Sequence, residues 1–287
     1  MDAINKGILK ELEQNCRTSY EALAQKYHIS ATAIRQRISR LIELGVIERF
    51  LVRLSYAMTD THPIIGFVES ECTEEDDPFI DQIGRHPLLN RVRFNTFGSF
   101  VIYGEYSHAE QLAELRNYLQ ELPDVNRVEL HPYPAYRGQE VKLSNYELRV
   151  LRPLLEDARL PINEIAKSAK TTAKRVSRTL QNLITGKGVE FTALYNLVAS
   201  DSTHFVLKIE WEEKTLTPEK IVHQVQDLYP LEFWLFKYSA IQNLMWISFN
   251  VDHPRNIEPI ATAVRELPHL NLTGTILPYP GKRFPEY

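Results

Sequence analysis

The chain repeats itself, and that repeat limits what it can fold into more than any other feature. Ile4, Ile8, Leu9 and Leu12 recur 142 residues later as Tyr146, Val150, Leu151 and Leu154. At the same offset Arg17 recurs as Arg159, Ala24 as Ala166, and Ser30 as Thr172. Ile34, Ile38 and Leu41 return as Val176, Leu180 and Leu183, and Thr61-His62 as Thr203-His204. The offset then grows slightly: Leu122-Pro123 returns as Leu267-Pro268, and Pro132-Tyr133-Pro134 as Pro278-Tyr279-Pro280. Chance can supply apolar matches, but an ordered series at one offset is harder to obtain. The turn-rich segment HPYPAYRGQEVKLS divides the copies.

Each copy splits again. Residues 3–14 carry Ile4, Ile8 and Leu12 at helical spacing. Residues 19–27 read as a second short helix with Ser19 as N-cap, and His28-Ile29 as a tight turn. Ser30 then caps a third helix that Gly45 ends. Two helices joined by a tight turn are the helix-turn-helix pattern, and VIERFLVRL stands where a wing is expected. In the second copy Pro153 falls inside the first helix and is expected to kink it. The remainder of each copy alternates in the order βαββαβ, the ferredoxin-like split motif. The fold class is therefore α+β, two tandem copies of a winged helix-turn-helix followed by a ferredoxin-like βαββαβ domain. The expected boundaries are 1–60, 61–137, 138–200 and 201–287.

The net charge of −4 argues against a nucleic-acid partner only if it is spread evenly. It is not: residues 1–50 carry +2, 62–137 carry −7, 138–199 carry +4 and 200–287 carry −3, with 51–61 neutral. Binding to a polyanion depends on the local surface. No run of about 18 apolar residues occurs, as a membrane span would need. The N-terminus is amphipathic rather than signal-like, so a cytoplasmic protein is expected. Cys16 and Cys72 make no disulfide framework. The nine histidines are scattered without metal-ligand spacing, and no phosphate loop, nucleophile elbow or dinucleotide fingerprint occurs. No metal, cofactor or catalytic residue is expected. The acidic run at 74–77 reads as a solvated loop leading into a helix.

The segment SYEALAQKYHISATAIRQRISRLIELGVIERF, together with the βαββαβ segment ending ELPDVNRVELHPY, resembles the Lrp/AsnC family of feast/famine transcription regulators. The resemblance covers nearly the whole chain twice, so it points to a tandem-duplicated form. It implies double-stranded DNA as partner, read by the helix-turn-helix, and pairing through the βαββαβ (RAM/AsnC-type) domains. It also implies a small effector held near the loop between the second and third strands. The candidates there are Thr96, Gly98 and Ser99 in copy one and Ser239, Gln242 and Asn243 in copy two. The glycine-then-aspartate pattern of that loop is incomplete: copy one has the glycine without an aspartate, and copy two has neither. Self-association of chains is a further expectation from the family.

At 100° per residue, Ile34, Ile38 and Leu41 form the buried stripe of the third helix, and the opposite arc holds Thr32, Arg35, Gln36, Ser39 and Arg40. Gln can pair with adenine, and Arg with guanine or a phosphate. Arg37 lies nearer the stripe and is expected at the rim or on a phosphate. In copy two the corresponding arc is Lys174, Ser177, Arg178, Gln181 and Asn182. Because the two faces differ in chemistry, the heads are expected to read different half-sites, or one to supply mainly phosphate contacts. One chain would then act as a pseudo-dimer. Phe94, Phe100, Ile102 and Tyr106, with Phe233, Leu235, Met245 and Ile247, are expected to pack one sheet on the other, the alternative being that they pack against their own helices, since alternation alone does not separate the two faces. The tail PYPGKRFPEY resembles the linker and is expected either to lay an aromatic across a sheet edge or to be disordered. Two alternatives share this reading. One is an enzyme like the sirohaem decarboxylases, for which Arg91 and Arg93 are available but no histidine in the second strand of either copy; the other is a low-specificity architectural DNA binder.

Overall fold

The structure is a computed structural model that describes residues 1–72, 77–95, 98–212 and 216–284. In chain order it runs α1 (Ala3–Gln14), α2 (Tyr20–Tyr27), α3 (Ala31–Glu43), β1 (Ile47–Leu54), α4 (Tyr56–Thr59), β2 (His62–Ser70), α5 (Asp77–Gly84) and β3 (Leu89–Asn95). Next come β4 (Ser99–Tyr106), α6 (Ala109–Gln120), β5 (Val125–Pro132), α7 (Asn145–Leu151), α8 (Ile162–Ser168), α9 (Ala173–Thr185) and β6 (Val189–Tyr195). The chain ends with β7 (Thr203–Trp211), α10 (Pro218–Leu228), β8 (Phe233–Tyr238), β9 (Leu244–Val251), α11 (Ile257–Arg265), β10 (Leu270–Ile276) and β11 (Pro278–Arg283). These elements form two compact units, Met1–Asp60 with Tyr136–Ser200, and Thr61–Ala135 with Asp201–Tyr287.

In the first unit each repeat supplies a three-helix head and one strand, with the short α4 following β1 in repeat one. Three side-chain caps set the helix starts in repeat one: Asp2 accepts from the Asn5 N–H at 2.8 Å, Ser19 from Ala22 at 3.1 Å, and Ser30 from Ala33 at 3.1 Å. Ile8, Leu9 and Leu12 of α1 are buried, as are Leu23 of α2 and Ile34, Ile38 and Leu41 of α3. Repeat two buries Val150, Leu154, Ile165, Val176, Leu180 and Leu183 at matching places. Pro153 has the foreseen effect: α7 stops at Leu151 and the chain tightens into a 3-10 turn over Arg152–Leu155. The strand in the wing position, β1, pairs antiparallel with β6 of the other repeat, Leu51 lying opposite Thr192.

The second unit holds two sheets, ordered β11-β3-β4-β2-β5 and β10-β7-β9-β8. Helices α5 and α6 cover the first through Phe79, Ile80, Ile83, Leu115 and Leu119, and α10 and α11 cover the second through Ile221, Val225, Ile260 and Val264. The fifth strand of the first sheet is the C-terminal β11, which pairs with β3. Tyr279 lies 5.7 Å from Phe94, so the tail does lay an aromatic on this sheet. At Gly281 any side chain would strike the Val92 carbonyl and Arg93, which fits glycine where β11 meets β3.

The sheets also pack on each other, but not through the expected residues. Ile65, Phe67 and Val101 meet Leu244, Trp246 and Ile276 in a separate cluster, with the Phe67 and Trp246 rings stacked at 5.3 Å. Phe94, Phe100, Ile102 and Tyr106 belong instead to the core under α5 and α6, and Phe233, Met245 and Ile247 to the core under α10 and α11. Leu235 is half-buried beside a bulge in β8. Alternation failed because both faces are apolar: all eight residues of β9 are buried, so a period of two has nothing to select. The repeat also slips here. Ile64 and Phe205 both face their own helices, an offset of 141, so the sequence-matched His62 and His204 fall on opposite faces.

Two histidines sit in this sheet interface. His131 is buried with Nδ1 3.2 Å from Ser239 Oγ and its ring 5.1 Å from Trp246. Burial lowers its pKa, Glu129 opposes that, and Lys208 and Arg116 add to it. Burial, with Arg93, Arg91 and Lys237 nearby, pushes His204 down to about 3. Both rings therefore take up a proton less readily in the folded chain than in the unfolded one, where histidine titrates near pH 6.5. Stability of the second unit should therefore be full above about pH 6.5 and fall with acidification, by up to about 1.4 kcal/mol per pH unit for each histidine. Urea titrations at pH 7.5 and 5 check this, with a smaller drop expected for His204→Asn. Equal midpoints at the two pH values would refute it.

Candidate nucleic-acid interface

The two helix-turn-helix heads repeat each other in the turn and in the cap of the third helix. The turn before α3 passes through His28 at φ 55°, and the turn before α9 through Lys170 at φ 50°. Ile29 N–H donates to Ala24 O at 3.2 Å, and Thr171 N–H to Ala166 O at 2.9 Å. Thr172 caps α9 by accepting from Arg175, as Ser30 caps α3. Anchored by its buried stripe, each third helix turns the opposite arc outward. Thr32, Arg35, Gln36, Ser39 and Arg40 of α3 are all exposed, as are Lys174, Ser177, Arg178, Gln181 and Asn182 of α9.

Those exposed cations are held differently in the two heads. The Arg35 guanidinium lies 5.2 Å from the centroid of the Tyr20 ring, and Arg40 pairs with Glu43 at 3.4 Å. Arg37 is committed to its own repeat, donating to Asp2 at 2.6 Å and Asn5 at 3.0 Å, so it ties α3 to the start of α1 rather than standing at the rim. In α9 the exposed Arg175, which helical periodicity does not single out, lies 4.6 Å from the Tyr146 ring.

The heads are joined by bonds that come in pairs, each the other with the repeats exchanged. Cys16 N–H donates to Phe191 O at 2.8 Å, and Ala158 N–H to Phe50 O at 3.3 Å. Ser55 N–H donates to Gly188 O at 3.0 Å, and Asn196 N–H to Val46 O at 2.8 Å. Arg17 donates to the carbonyls of Ala158 at 2.6 Å and Leu160 at 3.2 Å, and Arg159 donates back to Cys16 O at 2.8 Å. This exchange is the signature of a two-fold, isologous contact. Burial pushes the Cys16 thiol up to about 12 even with both arginines nearby, so it stays protonated. The match of Arg17 with Arg159 was visible in the sequence, but helical periodicity says nothing of a bond between repeats.

Charge separates with the units. The first holds 20 Lys and Arg against 13 Asp and Glu, a net +7, and the second 13 against 24, a net −11. Among the described residues, no group of three or more His, Cys, Asp or Glu could hold a metal ion, and no helix is long and apolar enough to cross a membrane.

The effector candidates lie on the β3–β4 and β8–β9 hairpins. Gly98 is exposed at φ 65°, and Ser99 is buried and bonded to Asn95. Ser239 is buried against His131 and also accepts from the Ile241 N–H. Gln242 is exposed and Asn243 half-buried. Thr96 lies outside the described residues, as does most of the acidic run at 74–77.

This geometry defines a protein with two helix-turn-helix heads in one unit and paired ferredoxin-like domains in the other. Residues 1–42 match the AsnC-type helix-turn-helix domain. The chain is 39% identical over 56 residues to the uncharacterised HTH-type transcriptional regulator PF0250 of Pyrococcus furiosus, a match covering 20% of this chain and 37% of that one. It is 42% identical over 52 residues to the HTH-type transcriptional regulator LysM of Sulfurisphaera tokodaii, covering 18% and 37%. The matched region thus spans little more than a third of these relatives. Among solved structures, the sirohaem decarboxylase NirDL aligns with 98% of this chain and 92% of its own at 13% identity and a TM-score of 0.53, a likeness of fold alone.

Hydrogen bonds from charged donors are worth roughly 1.5–3 kcal/mol. Arg17→Ala should weaken the first unit by about that amount, with faster amide exchange along β1 and β6. Unaltered exchange on both strands would show that the arginine does not hold the ribbon.

Proposed function

We propose that the chain is a sequence-specific DNA-binding transcription regulator of Lrp/AsnC type in tandem-duplicated form, acting as a pseudo-dimer with two non-identical heads. The observation that carries this reading is the pair of exposed polar arcs on α3 and α9, each on a capped and anchored helix of one positively charged unit. The match to the AsnC-type helix-turn-helix and the similarity to regulators support it. In this reading Thr32, Arg35, Gln36, Ser39 and Arg40 read one half-site. Lys174, Ser177, Arg178, Gln181 and Asn182 meet the other, where the lysine and arginine mainly engage phosphate.

The working division is 1–60 and 138–200 for the heads, with 61–137 and 201–287 for the βαββαβ domains. A small effector, if bound, would touch the hairpins bearing Thr96, Gly98, Ser99, Ser239, Gln242 and Asn243. Further self-association of chains fits the same class of protein. The negative charge of the second unit suits a body that stays off the DNA and leaves contact to the heads.

Selection of duplexes from a random pool by the intact chain tests the reading. An asymmetric site with two unlike halves is expected. Gln36→Ala should cost about 1–3 kcal/mol at its own bases. Lys174→Ala with Arg178→Ala should instead lower the salt slope by roughly 0.9 for each phosphate no longer neutralised. Recovery of no preferred sequence, with steep salt dependence, would favour an architectural binder. Sirohaem should produce no spectral change on mixing; a change would bring back the enzyme reading.

A further inference from the structure

The guanidinium of Arg159, a second-repeat residue, lies 4.8 Å from the centroid of the Tyr20 ring and 5.2 Å from that of Phe50. Tyr20 is the first residue of α2 in repeat one, and its half-buried ring is the same one that carries Arg35 of α3 at 5.2 Å. Arg159 is itself fixed, because it donates to Cys16 O at 2.8 Å across the joint between the heads. A chain of contacts therefore runs from the second repeat through one aromatic ring to an exposed arginine on the first recognition helix. A cation near an aromatic face gains about 0.5–1 kcal/mol at exposed sites, enough to favour one rotamer of a long side chain over its alternatives.

Repeat two has no such chain. At the shared offset, Tyr20 corresponds to Ile162 and Arg35 to Ser177, so α9 has neither the ring nor the arginine at these places. Arg175 and Arg149 do lie near Tyr146, but all three belong to repeat two. Among the described residues, only the first head has a recognition-helix cation whose placement depends on the other repeat.

We propose that Tyr20 and Arg159 are positioning residues for Arg35, so that the base choice of the first head is set jointly by both repeats. The inference rests on the DNA-binding reading and adds a specificity device to it. An arginine held in one rotamer presents its fork to a guanine edge with less ordering left to do. A mobile one serves a phosphate equally well but discriminates bases poorly. Loss of the relay should therefore relax sequence preference more than it weakens binding.

The test uses the intact chain, with Arg35→Ala first identifying the bases that Arg35 senses. Tyr20→Leu should then lower preference at those same bases about tenfold, the scale of one specific base pairing, while affinity for a duplex of unrelated sequence changes less than about twofold. Tyr20→Phe keeps the ring face and should retain the preference, a rescue that a loss of folding would not show. Arg159→Lys keeps a cation near the ring with fewer bonds to Cys16, and should fall between the two. The inference is overturned if Tyr20→Leu keeps full discrimination, if it relaxes both half-sites equally, or if Arg35→Ala alters no base preference. A wild-type chain that binds no duplex even at low salt would instead overturn the DNA-binding reading beneath it.

Discussion

A lone strand such as β1 leaves a row of backbone donors and acceptors without partners. Within the first unit that row meets the matching strand of the other repeat, Ile47–Leu54 running antiparallel to Val189–Tyr195. The reciprocal bonds of Arg17 and Arg159 close around the same joint. Much else depends on this ribbon. It places two helix-turn-helix heads in one compact body, related by a two-fold exchange of equivalent atoms, and it sets Tyr20 beside a residue of the other repeat. A single strand of this kind would have to find its partner in a second molecule; here the other repeat supplies it within the chain.

The second unit solves a comparable problem with faces rather than edges. Two sheets, of five and four strands, are each covered on one side by helices, and their remaining sides meet around Phe67 and Trp246. The contact is mixed in character: His131 and Ser239 lie buried beside those rings, with Glu129 and Lys208 at the margin. The repeats are also used unequally. The last strand of repeat two, β11, becomes a fifth strand on the sheet of repeat one. The matching segment of repeat one carries the chain onward instead, its Gly138 set against Ser55 and Lys187 in a space too close for a side chain.

Two repeats within one chain can carry different side chains at matching places, which two identical subunits cannot do. The exposed arcs of the two helices differ: arginine, glutamine and serine on α3 against lysine, arginine and asparagine on α9. The charge division of +7 and −11 between the units is of the same kind. The asymmetry between the heads is carried by side chains on a backbone that remains nearly two-fold.

The helices of the heads, the caps Ser19 and Ser30, the turn at His28 and the order of the strands were legible in the sequence because each depends on neighbours a few residues apart. Ser30 caps α3 and Pro153 ends α7 for reasons that are local and steric. The exposed arcs of α3 and α9 followed from periodicity, since a single apolar stripe fixes the opposite side. The face that β4 and β9 turn to the partner sheet was not legible, because both of their faces are apolar and alternation carries no information there. Nor were the commitment of Arg37 to Asp2, the pairing of β1 with β6, or the place of Arg159 near Tyr20. These contacts join residues far apart in the chain, and only the closed fold brings their atoms within bonding reach.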